Sequence, residues 1–221
     1  MTRELEFGRR AALSGKPTSL VIFLHGYGAD GEDLLGLADP LGPHLPGTEF
    51  LAPNAPERCP GSPFGYQWFP IPWLDGSSEA AAAAGLAGAA EDLNGFLDMV
   101  AEQTGIAAAQ TALVGFSQGT MIALHVAARR AEPLAAVVGF SGRLLAPEKL
   151  AAETRSRPPV LLVHGDQDNV VPPQDMPKAA TALEAAGFAV QTHVSKGTAH
   201  GIAPDGLSLA LWFLRERLPK T

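Results

Sequence analysis

GFSQG, Gly115–Gly119, lies between the apolar run TALV (111–114) and the helix-like run TMIAL (120–124). A serine between two glycines, where a strand turns sharply into a helix, is the pattern of a nucleophile elbow. The turn is so tight that the positions two before and two after the serine must be small. Gly115 and Gly119 meet that need. The serine then stands at a helix N-terminus, where backbone N–H groups favour developing negative charge. GFS occurs again as GFSGR, Gly139–Arg143. There the position two after Ser141 is Arg143, and LLAPEKL resumes only after a break. Ser141 therefore reads as a strand-terminal hydroxyl and Ser117 as the candidate nucleophile.

Outward from the elbow, short β-rich runs alternate with helix-like stretches. SLVIFL (19–24), TEFLAP (48–53), TALVGF (111–116), LAAVVGF (134–140), PVLLVHG (159–165) and AVQTHV (189–194) read as strands. GEDLLGLADPLG (31–42) reads as one helix with acids in its first turn. A long helix runs from a Ser77 or Ser78 cap to about Gln103, and others cover 118–131, 174–186 and 205–217. Residues 54–76 are a Pro- and Gly-rich loop. This alternation implies a mostly parallel central sheet with helices on both faces. No linker divides the chain, so residues 1–221 are expected to form one domain. Between Phe140 and the strand at 159 there is room for one short helix, hence no cap domain.

Composition narrows the function. Of 221 residues, 46% are hydrophobic, enough for a real core. The net charge is −7 and the bases are scattered, with no stripe to bind nucleic acid. Cys59 is the single cysteine, so an internal disulfide is ruled out and a reducing compartment fits. MTRELEFGRR has no signal-peptide pattern, and no apolar run is long enough for a transmembrane segment. A cytoplasmic protein is expected.

A serine needs a base. His25 and His164 each precede a glycine at a strand end and read as structural. His44 lies in a connection, His125 inside the helix after Ser117, and His193 within a strand run. His200 stands apart, in the Gly-flanked loop KGTAHGIAPDG between the last strand and the last helix. The acid should lie between serine and histidine in the chain. HGDQDNVVP (164–172) offers Asp166 and Asp168. Asp168 is placed to reach across, whereas Asp166 suits the amides of its own turn. A calcium loop does not fit, since Val171 and not glycine falls at its sixth position. No metal and no cofactor are expected. Two N–H groups should hold an oxyanion. One is that of Gln118, and the other that of Tyr27 in the Gly-rich turn HGYGADG (25–31).

Phe64, Tyr66, Trp68, Phe69 and Trp73 fall within ten residues of the 54–76 loop. They form an apolar wall for substrate, or a loop packing its own aromatics. Phe64, Trp68, Phe69 and Trp73 are the candidate substrate-binding residues.

LHGYGADGEDL, APNAP, YQWF, GFSQGTMIAL, FSG, HGDQDNVVP and AHG, in this order, resemble the phospholipase/carboxylesterase family of small α/β-hydrolases, which includes the acyl-protein thioesterases. The resemblance runs from about Leu20 to the C-terminal helix. It implies an α/β-hydrolase fold, a Ser117–Asp168–His200 triad and oxyanion donors at Tyr27 and Gln118. It also implies cofactor-free hydrolysis of carboxylic esters or thioesters, lysophospholipids among them. One departure is Pro70, where the family usually carries an acid after its Trp-aromatic pair. The expected partner is a small ester or thioester with an apolar acyl group, and the expected state a monomer or homodimer. Two other readings are a dienelactone-hydrolase-like lactonase, which would favour a cysteine nucleophile, and a non-catalytic scaffold that only binds a ligand.

Overall fold

A computed structural model describes residues 2–220. Met1 and Thr221, the ends of the span expected to form one domain, lie outside the described residues. The strands are β1 (Phe7–Arg10), β2 (Ser19–Leu24), β3 (Thr48–Pro53), β4 (Glu57–Arg58), β5 (Tyr66–Gln67), β6 (Thr111–Phe116), β7 (Ala136–Phe140), β8 (Val160–Gly165) and β9 (Val190–Ser195). The α-helices are α1 (Gly31–Leu35), α2 (Ala38–Leu41), α3 (Pro72–Asp75), α4 (Glu79–Thr104), α5 (Gln118–Arg129), α6 (Pro147–Glu153), α7 (Asp175–Ala185) and α8 (Pro204–Arg215).

Seven strands form one sheet in the order β1-β3-β2-β6-β7-β8-β9. All neighbours are parallel except β1, which pairs antiparallel with β3 at the edge. The central strands are buried on both faces, which is why they read as continuous apolar runs. Strand alternation divides each run between two cores. Leu20, Ile22 and Leu24 face α4, α5 and α7, while Val21 and Phe23 face α1, α2 and α8. Each such side chain contributes roughly 1.5–3 kcal/mol on burial.

The helix expected over 31–42 is broken into α1 and α2, followed by a 3-10 turn at Gly42–His44. Pro40 has no N–H to donate to Gly36, and its ring would press on that carbonyl in a continuous helix. β1 was not foreseen. FGRR is mostly exposed and shows no apolar alternation; its edge pairing with β3 holds it. The loop at 54–76 carries more order than expected. β4 and β5 form a separate antiparallel ladder, and Pro72 opens α3. Ser78 caps α4, accepting from the Ala81 N–H at 3.1 Å. Between β7 and β8, α6 is the single α-helix.

Candidate active site

The parallel strands run so that β2, β6 and β8 end on one edge, and the loops beyond them carry the chemistry. At the end of β6 the backbone of Ser117 takes φ 54° and ψ −116°. A non-glycine residue there stores on the order of 1–3 kcal/mol of strain. The surroundings impose it. Ser117 N–H donates to the Phe140 carbonyl at 2.9 Å, and its own carbonyl accepts from Thr120 and Met121 N–H. Thr120 Oγ1 bridges the carbonyls of Gly115 (2.8 Å) and Phe140 (2.9 Å). A Cβ on Gly119 would run into the Leu24 carbonyl, and one on Gly115 into the Gly119 backbone. Both small positions of the motif are thus sterically required.

The turn after β2 lies against this elbow. A Cβ on Gly26 would stand 3.4 Å from the Ser117 Cβ. Buried hydrogen bonds fix the turn. His25 Nε2 accepts from the Ala55 N–H at 2.9 Å, so the proton sits on Nδ1, which donates to the Gly26 carbonyl at 2.7 Å. Burial lowers the His25 pKa against the opposing pull of the Gly26 carbonyl, keeping the ring neutral. Trp68 Nε1 donates to the His25 carbonyl at 3.0 Å. The Gln118 amide completes the network, accepting from Trp68 N–H (2.9 Å) and donating to the Phe69 carbonyl (2.7 Å). Sequence reasoning assigned only the Gln118 backbone a task; its side chain also ties the elbow to the 54–76 loop.

Beyond β8, Asp168 Oδ2 accepts from His200 Nδ1 at 2.7 Å. Its other oxygen accepts from the N–H groups of Val170 and Val171, both at 2.9 Å. Burial alone would raise this carboxyl, but the bonds from His200, Val170 and Val171 outweigh it and hold its pKa below the usual value. With Nδ1 donating, the lone pair of a neutral His200 is on Nε2. The His200 ring packs on Phe116, the residue before Ser117, with centroids 4.8 Å apart. Thus the loops carrying Ser117, Asp168 and His200 meet at one edge.

One aspect of this site differs from the expectation. Asp166 does not serve its own turn. It accepts from the Gly197 N–H at 2.7 Å, binding the acid loop to the histidine loop, while Asp168 itself takes the amides of 170 and 171. His164 is buried beside the acid: its Nε2 is 3.0 Å from the Val171 carbonyl and 3.2 Å from Asp168 Oδ2. His193 forms a second, more exposed pair with Asp205 at 2.7 Å. His125 is part-buried, its pKa lowered to about 4 by burial and by Arg129. His44 is exposed.

The four candidate substrate residues divide into two pairs. Trp68 is 0% exposed and Phe69 is buried, both within the core beneath the site. Buried to that extent they do not wall an open cleft, and the Trp68 indole and backbone N–H and the Phe69 carbonyl tie them to His25 and Gln118. Phe64 and Trp73 are 83% and 63% exposed. Tyr27, Gly28, Cys59, Ser62 and Leu74 line a cavity of ≈ 590 Å³. Burial and a hydrogen bond with the Cys59 thiol raise the Tyr27 hydroxyl pKa far above its ordinary value.

A family model described as phospholipase/carboxylesterase matches residues 11–218. The chain belongs to that family. Membership makes it a carboxylic ester hydrolase with an α/β-hydrolase fold. Within the family it is similar to the crystal structure of esterase PE8, at 48% identity and a TM-score of 0.93, covering 98% of this chain and 100% of that one. Esterase YpfH of Escherichia coli is 28% identical over 91% of this chain and 84% of its own. Acyl-protein thioesterase 1 of Neurospora crassa is 29% identical over 92% and 88%. Among the described residues of this family member, no helix is long and apolar enough to cross a membrane.

Proposed function

We propose that this carboxylic ester hydrolase works through Ser117, His200 and Asp168 and an acyl-enzyme intermediate. The observation that carries the reading is the 2.7 Å bond from His200 Nδ1 to the buried Asp168, beside a serine held at φ 54°. Ser117 Oγ attacks the substrate carbonyl while His200 Nε2 takes its proton. Asp168 keeps His200 in the Nδ1–H tautomer and stabilises the imidazolium. The N–H groups of Tyr27 and Gln118 receive the oxyanion. His200 returns the proton to the leaving alcohol or thiol, then activates water to release the acid from Ser117. The whole chain acts as one cytoplasmic domain without a cofactor.

Substrates are esters with an apolar acyl group bound near Tyr27 and the 54–76 loop. Thioesters are the second reading, favoured by relatives named acyl-protein thioesterase. A fluorophosphonate probe should label the protein at Ser117, and Ser117→Ala should abolish labelling. A folded, unlabelled wild-type protein would instead support a scaffold that only binds.

A further inference from the structure

The second GFS copy ends in an arginine that the reaction leaves unused. Gly142 packs close to the elbow backbone: a Cβ there would stand 2.9 Å from the Ser117 carbonyl oxygen. The next residue, Arg143, reaches outward. Its guanidinium pairs with Asp175 at 2.7 Å, with the two side chains 29% and 15% exposed. The same guanidinium lies over the Trp73 ring, 5.0 Å from its centroid. Arg143 therefore joins the nucleophile's edge of the sheet to α7 on one side and to α3 on the other.

Apart from the buried Ile71 that caps it, α3 has little else to hold it. None of its four residues is buried. Asp75 accepts from Ile71 and Ser77 N–H, bonds that shape the turn without anchoring it to the body. The helix borders one cavity, and its arginine partner borders another. Leu74 and Asp75 line the ≈ 590 Å³ cavity beside Tyr27, while Arg143 and Asp175 line another of ≈ 200 Å³. A planar guanidinium fixed by a carboxylate offers its face to an indole at little entropic cost, so the pair holds position as well as adding attraction.

We propose that Arg143, held by Asp175, is a positioning residue that clasps Trp73 and fixes α3, and thereby sets the preference for acyl-chain length. The inference rests on the reading of Ser117 as nucleophile and of the Tyr27-side cavity as the acyl site. With the clasp intact, α3 presents Leu74 to a long chain, and each methylene it covers adds up to about 0.8 kcal/mol. Without it, α3 swings away, and long chains lose that cover while acetate loses nothing.

The test is kcat/KM for p-nitrophenyl acetate, butyrate and octanoate in the wild type and in Arg143→Ala, Arg143→Lys, Trp73→Ala and the Arg143→Ala/Trp73→Ala double variant. Arg143→Ala should lower the octanoate value about fivefold to tenfold, mainly through KM, and the acetate value less than twofold. Arg143→Lys keeps the charge but not the planar face, and should fall between. Because both groups act as one unit, the double variant should lose no more than the worse single one. In a Trp212→Phe background, acrylamide should quench Trp73 more strongly once Arg143 is removed. Equal losses at every chain length, or additive losses in the double variant, would overturn the clasp. If Trp73→Ala flattens the chain-length dependence and Arg143→Ala does not, the clasp alone fails. If neither moves it, α3 is no part of the acyl site and the proposal falls. Loss of probe labelling in the wild type would instead sink the hydrolase reading beneath it.

Discussion

Ser117 and Ser141 share the tripeptide GFS, neighbouring parallel strands and a left-handed backbone, with φ 54° and 48°. Even their hydrogen bonds repeat. Ser117 N–H donates to Phe140 at the end of the next strand, and Ser141 N–H to Val163 in the one after. The two part company in the chain just beyond each serine. α5 begins directly after Ser117, so the serine stands at a helix N-terminus. After Ser141 the chain runs on to Pro147 before a helix starts, and the serine is sealed, 0% exposed against 8% for Ser117. The Ser141 hydroxyl has no hydrogen-bond partner among the described residues. Backbone strain therefore marks a strand end at this sheet edge, and the neighbouring histidine, acid and helix start single out Ser117 as the proposed nucleophile.

The largest expected contrast is chemical. Ser117→Ala should reduce kcat by at least ~10³-fold, whereas Ser141→Ala should leave it within about twofold. Comparable losses in two folded variants would erase the distinction. The two aspartates give the next contrast. Asp168→Asn should cost about 10²–10⁴-fold in kcat, because His200 loses the partner that sets its tautomer. Asp166→Asn replaces the charged acceptor of the Gly197 N–H by a neutral amide oxygen and should cost about 1 kcal/mol of stability with a much smaller change in kcat. An inactive Asp166→Asn with unchanged melting would reverse the assignment.

Glycine should reveal what the serines have in common. Replacing either one relieves a strained φ, so Ser117→Gly and Ser141→Gly should each raise stability by about 1 kcal/mol, or a few degrees in Tm. Only the first should lose activity. Stabilisation at one serine alone would show that the two turns are not equivalently strained.

The smallest effect is on acid stability. The folded Asp168 carboxyl titrates below its ordinary value, since the bonds from His200, Val170 and Val171 outweigh the upward push of burial. Its stabilisation is thus fully present above the unfolded value of about 3.9 and is lost as pH falls through the lower folded value. Thermal melts between pH 7 and 2 should show a shallower acid loss for Asp168→Asn than for wild type. Ser141→Ala, which changes no titrating group, should keep the wild-type slope.

Much of the fold was legible because its central strands are buried on both faces. SLVIFL and TALVGF leave no polar register in which to slip, and the glycines of GFSQG specify the turn by their size. Pro40 is an equally local signal for the break between α1 and α2, which the reading of 31–42 as one helix leaves out. β1 was invisible for the opposite reason: FGRR has no buried pattern of its own and exists by pairing with β3.

The candidate site divides in the same way. Sequence alone determined which residue types stand at which strand ends, because elbow, acid and histidine are each marked by nearby glycines and by chain order. Only the tertiary structure decided what each does with its neighbours. It turned Asp166 toward Gly197, set His164 beside Asp168, buried Trp68 under His25 and left Trp73 on Arg143. Most of those contacts join residues tens of positions apart, and which aromatic faces solvent depends on where a distant N–H or guanidinium finds its partner. Burial and hydrogen-bond satisfaction are properties of the packed whole, and no local pattern encodes them.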